Sequence, residues 1–428
     1  MATSDMKAID KIAVSNETET IAWKRWTILG LLSLGAILAF VSRTNISAAL
    51  AFKGFVQDFH LSDVDRGLLN SAFFWSYAAL QIPMGWIVDR YGVKIPYAIS
   101  FVIWCLASAA TGMSRSLSGL TATRIVTGAG EAIVVPASYR WMRQNFSEKQ
   151  MGLAIGIYMI GTKIGPAIGA PLAVALIGMY SWRLMFLLIG LVGLVWLAPW
   201  LLMVRKDMPS GAAGKKRAAA LPMSAILSSP VVWGTIVINF CYNYFVFYCM
   251  TWMPAYLVEK RHLSLSKMGA FQFFSFMGIA IVALVSGWVA DRMIARGGDP
   301  VRVRKGFVIA GFAIAATELF GASATSLNMA LFWALVSLSG IGLATANHLA
   351  LCRMTLIPPG AAGMVAGIQN VSTSLAGIVA PIISGWLLQS TGSYTAPMQV
   401  INFFLVLGLI TCIVVLREKW APKAVTAD

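Results

Sequence analysis

The chain has 428 residues, of which 58% are hydrophobic and only 12% are charged. A soluble protein carries about 25% charged residues, so this composition excludes an ordinary soluble domain. The net charge of +16 would suit nucleic acid, but no polar segment interleaves basic with aromatic residues, and we expect no nucleic-acid partner. The five cysteines lie inside apolar stretches without a Cys-x-x-Cys pair, which predicts neither a disulfide framework nor a metal site.

Twelve apolar runs follow one another along the chain, and each is long enough to cross a bilayer core of about 30 Å. They fall at 26–50, 67–88, 94–113, 117–139, 151–176, 182–204, 231–256, 268–290, 305–325, 328–352, 361–388 and 396–416. The sequence therefore predicts an all-α integral membrane protein with twelve transmembrane helices.

Polar segments divide these runs into two groups of six. The first 25 residues lack the apolar core of a cleaved signal peptide, and the longest polar interruption lies between the sixth and seventh runs. The predicted order is an N-terminal tail at 1–25, a six-helix bundle at 26–204, a linker at 205–229, a second six-helix bundle at 230–416 and a C-terminal tail at 417–428.

The distribution of basic residues predicts the orientation. Of the 33 Lys and Arg residues, 23 lie in segments on the side of the N-terminus, 7 lie on the other side and 3 lie inside the runs. Arg353, between the tenth and eleventh runs, is counted among the 23 and assigned to a loop on the side of the N-terminus. Because cytoplasmic loops of membrane proteins carry the excess of Lys and Arg, we expect both termini in the cytoplasm.

The two halves repeat a short segment. Gly-Trp-Ile-Val-Asp-Arg at 85–90 ends the second run, and Gly-Trp-Val-Ala-Asp-Arg at 287–292 ends the eighth. Such a duplication predicts two pseudo-symmetric bundles that rock about a central cavity.

The first copy continues into a longer motif, Gly85-x-x-x-Asp89-Arg90-x-Gly92-x-Lys94. It resembles the loop motif of the major facilitator superfamily, which implies that fold and a gating role for the motif. The implied gating residues are Gly85, Asp89, Arg90, Gly92 and Lys94, with Asp291 and Arg292 in the second copy. We expect Gly85 to permit close helix contact, Gly92 to permit a tight turn, and Asp89 to hold its partners in only one conformation.

Three further segments resemble the anion:cation symporter family, which includes bacterial sugar-acid and aromatic-acid permeases and the sialic acid and vesicular glutamate transporters. They are Phe-Val-Ser-Arg-Thr-Asn-Ile-Ser at 40–47, Phe-Phe-Trp-Ser-Tyr-Ala-Ala-Leu-Gln-Ile-Pro at 73–83 and Arg-Ile-Val-Thr-Gly-Ala-Gly-Glu-Ala at 124–132. The chain departs from the sugar-acid permeases at Ser42, where they usually have Asp, and at Lys163, where they often have Gln. Both changes make the proton count and the sugar-acid assignment uncertain.

Several ionisable residues lie within the runs, where each costs about 2.5–3.5 kcal/mol on insertion scales and usually serves a function. They are Arg43, Arg124, Glu131 and Lys163 near the midplane, Glu318 nearer the outer end and His348 near a run end. Arg124 and Glu131 share one helix face through their i, i+7 spacing. The alternatives are a structural ion pair of Arg124 with Glu131, snorkelling of Arg43, pairing of Lys163 with Glu131 alone, a structural role for Glu318 and a hydrogen-bonded core role for His348.

The midplane charges do not balance, since three cations accompany one carboxylate. A bound organic anion would offset the excess, so Arg43, Arg124 and Lys163 are predicted to bind a carboxylate. When the substrate takes its cations, Glu131 should accept a proton, which couples the two binding events. The family resemblance adds Tyr77, Tyr242, Asn243 and Asn370 as substrate ligands, and His348 is a further candidate.

These observations predict a proton-coupled symporter that imports an organic carboxylate by alternating access across a bacterial inner membrane. The candidate substrates are a sugar acid, a dicarboxylate or an aromatic acid. We expect the proton gradient to drive transport without a cofactor, and we expect the protein to be a monomer. A proton-antiport exporter is the alternative within transport, because residues 161–170 partly resemble a motif of drug/proton antiporters. A non-transporting sensor on the same fold is an alternative from another functional class. The sequence contains no catalytic constellation, so we expect no enzyme.

Overall fold

A computed structural model describes residues 2–205 and 223–422 of the chain. Most of the predicted linker, at 206–222, and the end of the predicted C-terminal tail, at 423–428, lie outside the described residues. The described residues are helical and contain no strand.

Within the described residues, the first half consists of nine α-helices. They are α1 Ala2–Leu50, α2 Lys53–Asp58, α3 Asp63–Tyr91, α4 Lys94–Thr111, α5 Leu117–Glu131, α6 Val134–Asn145, α7 Glu148–Met179, α8 Trp182–Gly193 and α9 Leu197–Met203, with a 3-10 turn at Leu194–Trp196.

The second half repeats this plan within the described residues. Its helices are α10 Met223–Leu227, α11 Pro230–Thr251, α12 Met253–Ala255, α13 Leu265–Ala295, α14 Pro300–Ala315, α15 Glu318–Ser323, α16 Leu327–Ala350, α17 Pro359–Thr391 and α18 Thr395–Val414. Two π-helical turns, Tyr256–Lys260 and Leu351–Thr355, and a 3-10 turn at Glu418–Trp420 complete it.

Twelve segments of these helices cross the membrane, six in each half, as predicted. Ten of them, among the described residues, are long and apolar enough to be recognised by length and hydropathy alone. The other two are α3, which carries charges at both ends, and the pair α5–α6, which is interrupted beside Glu131.

Local chemistry sets the ends of α3. At its start, Ser62 and Asp65 form a capping box in which each side chain accepts the other's backbone N–H, at 3.2 and 2.9 Å. At its end, Gly92 has φ of +80°, a left-handed conformation that favours glycine. The tight turn predicted for Gly92 is therefore confirmed.

The two bundles meet at one end only. We call the end at Val204 and Ser229, which flank the linker, the linker end, and the other the distal end. At the distal end the bundles pack backbone to backbone, so that a Cβ on Gly67 would clash with the Pro381 carbonyl and one on Gly385 with that of Asp63.

Nearer the linker end this packing is lost. Among the described residues, no heavy atom outside the local stretch of the same helix lies within 4 Å of the positions that a Cβ would occupy on Gly85, Gly152 or Gly367. The molecule is closed at the distal end and open at the linker end. In this conformation Gly85 makes no close helix contact, contrary to the prediction, because α3 has separated from the other bundle there.

Candidate functional site

A cavity of about 230 Å³ lies between the two bundles. Seven of the eight predicted substrate ligands line it, namely Arg43, Tyr77, Lys163, Tyr242, Asn243, His348 and Asn370. The eighth, Arg124, lies outside the lining. The first bundle supplies the cavity's Arg43 and Lys163, and the second supplies mainly amides, hydroxyls and aromatic rings.

Arg43 on α1 is held in an aromatic and ionic cage. Its Nε donates to Glu131 Oε2 at 2.7 Å, and the side chains of this pair are 8% and 0% exposed. Its guanidinium carbon lies 4.4, 4.8 and 4.7 Å from the ring centroids of Phe40, Phe73 and Tyr77. The cation is thus oriented by rigid neighbours on one side and faces the cavity on the other.

Glu131 and Arg124 form a layer behind Arg43. Arg124 Nη1 lies 3.5 Å from the Ser42 carbonyl oxygen, and its guanidinium lies 5.3 Å from the Phe73 ring centroid. Glu131 Oε1 is buried and has no hydrogen-bond partner in the described part of the chain. Direct substrate binding by Arg124 therefore stays a prediction, and in this conformation the residue supports the wall.

Small residues bring these helices together. A Cβ on Gly128 would clash with the carbonyl oxygen of Phe73, so glycine lets α5 lie directly against α3. Gly161 and Gly165 approach Ser33 and Phe40 on α1 in the same way, so α7 lies directly against α1 near Lys163.

Lys163 projects from the middle of α7 into the cavity. Among the described residues it has no carboxylate partner, so the alternative in which it only pairs with Glu131 does not occur in this conformation. His348 of the other bundle lines the same cavity.

The second bundle presents a stacked and hydrogen-bonded wall. The rings of Tyr242 and His348 stack with centroids 4.5 Å apart, and the Tyr242 hydroxyl shares a hydrogen bond of 2.7 Å with Thr345 Oγ1. Asn239 and Asn243 both donate to Thr373 Oγ1, at 2.8 and 3.2 Å. These bonds fix the polar groups that the wall offers to a ligand.

Arg353 also lines the cavity, although its sequence position suggested a loop on the linker side. It lies in the π turn Leu351–Thr355, and its Nε donates to Gln369 Oε1 at 2.6 Å. A π turn widens the helix and changes the direction in which its side chains project, which hydropathy cannot reveal. The sequence offers one indication of this unusual position, namely that Arg353 is the single basic residue between the tenth and eleventh runs.

The repeated motif lies at the linker end of both bundles. Arg140 Nη1 donates to Asp89 Oδ1 at 2.7 Å, and Arg304 Nη2 donates to Asp291 Oδ1 at 2.8 Å. Lys94 begins α4, and its carbonyl accepts from Trp200 Nε1 at 3.0 Å. Each acid is paired within its own bundle in the conformation that is open at this end, and gating stays a prediction.

The arginines of the two copies match in a further respect. The guanidinium of Arg90 lies 5.3 Å from the ring centroid of Trp86, and that of Arg292 lies 5.3 Å from that of Trp288. The duplication seen in the sequence is thus also a duplication of side-chain geometry.

Residues 32–381 match the Major Facilitator Superfamily over more than half of the chain. This protein belongs to that superfamily. Its predicted fold, with twelve helices in two pseudo-symmetric bundles, is confirmed.

The relatives of this major facilitator protein include three bacterial acid transporters. The D-galactonate transporter of Escherichia coli O6:H1 is 26% identical over 92% of this chain and 96% of the relative. The probable sulfoacetate transporter of Cupriavidus necator is 28% identical over 90% and 92%. The hexuronate transporter of Bacillus subtilis is 26% identical over 86% and 89%. The chain is therefore a membrane transporter and not an enzyme.

A solved structure shares the fold. A bacterial homolog of the human lysosomal transporter Spinster, in an inward-facing and occupied conformation, matches with a TM-score of 0.78 over 94% of this chain and 99% of that chain. The two sequences are 17% identical, so this likeness supports the fold alone.

Glu318 lies apart from the transport cavity of this major facilitator protein. Its side chain is buried at the start of α15, and Oε2 has no hydrogen-bond partner among the described residues. It is not among the residues that line the cavity. A structural position within the second bundle accounts for its burial.

Proposed function

We propose that the chain is a proton-coupled symporter that imports a small organic acid anion by alternating access. The observation that carries this proposal is the charge of the cavity. Arg43, Lys163 and Arg353 line it, and no carboxylate does so in the described part of the chain. Cations away from bulk water need a counter-charge, which a travelling anion would supply.

The nature of the cations supports a carboxylate as the anionic group. A guanidinium offers two parallel N–H donors that match the two oxygens of a carboxylate, and Arg43 is held by its cage with one face toward the cavity. Galactonate, hexuronate and sulfoacetate, the substrates named for three relatives, are all organic acids. We therefore assign organic acids as the substrate class.

The Arg43–Glu131 pair supports proton coupling. Glu131 is fully buried, and its ion pair in the described residues is with Arg43. If a substrate carboxylate takes the Arg43 guanidinium, Glu131 is left as a buried anion with a weakened partner, and protonation removes that cost. Substrate and proton then bind with positive coupling, as symport requires.

The proposed direction is import, because a proton that enters down an inward gradient together with the substrate carries the substrate inward. The excess of Lys and Arg on the side of the linker supports a cytoplasmic linker end, so the cavity in this conformation faces the cytoplasm. We place the protein in a bacterial inner membrane as a monomer with both termini in the cytoplasm. The proton gradient supplies the driving force, and no cofactor is needed.

Uptake into proteoliposomes tests the proposal. A panel of sugar acids, dicarboxylates and aromatic acids is offered with an inward proton gradient and with none. We expect at least one acid to accumulate only with the gradient. Accumulation that instead requires an outward gradient would indicate proton-antiport export, and binding without any flux would indicate a sensor.

A further inference from the structure

Arg353 places a cation on the second bundle, across the cavity from Arg43. It lies in the π turn that follows α16 and lines the same cavity as Arg43 and Lys163. His348 lines the cavity together with Lys163 and Arg353, so cations of both bundles face one common space.

The present partners of Arg353 are neutral. Its Nε donates to Gln369 Oε1 at 2.6 Å, and its Nη2 donates to Asn370 Oδ1 at 3.4 Å. A guanidinium has five N–H donors, so these amides orient the group, leave donors unused and cancel none of its charge. No carboxylate in the described part of the chain forms an ion pair with Arg353.

The carboxylate that Arg43 holds cannot serve both bundles. Glu131 is buried behind Arg43 on the first bundle, where Arg43 holds it at 2.7 Å. A substrate with one carboxylate could replace this partner of Arg43, but it would leave Arg353 without a counter-charge. The two arginines therefore call for two acidic groups on one molecule.

On the basis of the proposed function, we propose that the transported anion carries two acidic groups, with Arg43 binding one and Arg353 the other. Arg353 is then a specificity-determining residue that favours diacids over monoacids. Such a ligand would span the two bundles and connect α1 with the end of α16.

Three pairs of acids that differ by one carboxylate test the inference, namely butanoate and succinate, benzoate and terephthalate, and galactonate and galactarate. The acids compete with one another for uptake by the full-length chain in proteoliposomes, and this competition measures the affinity of the chain for each acid. The second carboxylate of the diacid would form a hydrogen-bonded ion pair with Arg353. We therefore expect the affinity for the diacid of the transported pair to exceed that for the monoacid by about tenfold or more.

The variants separate specificity from folding. Arg353→Gln should lose the preference for the diacid while its affinity for the monoacid stays within about twofold, and Arg353→Lys should keep part of the preference. Arg302→Gln is the matched control, since it removes one positive charge from an exposed site on the same bundle.

Equal affinity of the wild type for both acids of the transported pair would overturn the inference and leave the proposed function intact. A loss of monoacid and diacid transport alike in Arg353→Gln would overturn it too, because it would show a structural role. If none of the six acids is transported under either gradient, the proposed function fails, and this inference fails with it.

Discussion

At the scale of single residues, the buried Arg43–Glu131 pair decides how the site can work. Removing one member of a buried ion pair costs about 3–5 kcal/mol, because the remaining charge has no partner. In this pair the cost is avoidable, since Glu131 can bind a proton when the Arg43 guanidinium turns to another carboxylate. An ion pair that borders a ligand cavity can therefore serve as a coupling device, which an isolated core ion pair cannot.

Glu131→Gln should abolish accumulation driven by a proton gradient and spare the exchange of substrate for substrate. The amide keeps the shape of the side chain but can neither hold a full charge against Arg43 nor take up a proton. The measurement compares gradient-driven uptake with counterflow in proteoliposomes.

Glu318→Gln is the matched control for this change, because Glu318 is equally buried but lies outside the cavity lining. It should leave both activities near the wild-type level. Driven uptake by Glu131→Gln at the wild-type rate would remove Glu131 from the coupling mechanism.

At the scale of helices, a polar network closes the distal end. Arg66 on α3 donates to both carboxylate oxygens of Glu259, at 2.7 and 3.3 Å, and so joins the two bundles. The Tyr394 hydroxyl donates to Glu259 at 2.6 Å, and the Val64 N–H donates to Gln389 at 3.1 Å. Burial, and next the Glu259 charge, raise the pKa of the Tyr394 hydroxyl, which keeps it a donor.

Glu259→Gln should open the distal end, because it removes the charge that holds Arg66 across the bundle interface. Spin labels at the exposed positions Lys53, after α1, and Lys267, on α13, would report this as a longer mean distance. The double exchange of Arg66→Glu with Glu259→Arg should restore the shorter distance.

Lys260→Gln serves as the control for the distal network, since it removes a neighbouring exposed charge that forms no ion pair across the interface among the described residues. An unchanged distance distribution in Glu259→Gln would mean that backbone packing alone, at Gly67 and Gly385, holds this end closed.

At the scale of the whole molecule, the asymmetry of basic charge supports the orientation that we propose for the two bundles in the membrane. With the linker end in the cytoplasm, the cavity of this conformation faces inward, and import requires a second conformation that opens the distal end. The paired acids Asp89 and Asp291 lie at the linker end, where the bundles must come together in that second conformation.

The orientation predicts which surface a membrane-impermeant thiol reagent can reach. Lys53→Cys, exposed at the distal end, should react in intact cells, and Arg296→Cys, exposed at the linker end, should react only in inverted vesicles. The unmodified chain should give little background, since all five of its cysteines are buried. The opposite labelling pattern would reverse the proposed orientation in the membrane.

The sequence alone determined the twelve helices, the duplicated bundles and the presence of Arg43, Glu131 and Lys163 within the membrane. Hydropathy, repeat spacing and the cost of burying a charge are local properties, so they can be read from the order of residues. The tight turn at Gly92 was predicted in the same way, from the presence of glycine at that position.

Only the tertiary structure decided what each buried charge faces. Arg124 was expected in the cavity and lies behind its wall, whereas Arg353 was assigned to a loop and lines the cavity, because a π turn and the packing of neighbouring helices set the direction of each side chain. The closed distal end and the separated α3 at Gly85 also depend on contacts between the bundles. Such contacts join residues far apart in the chain and change between conformations, so no local pattern specifies them.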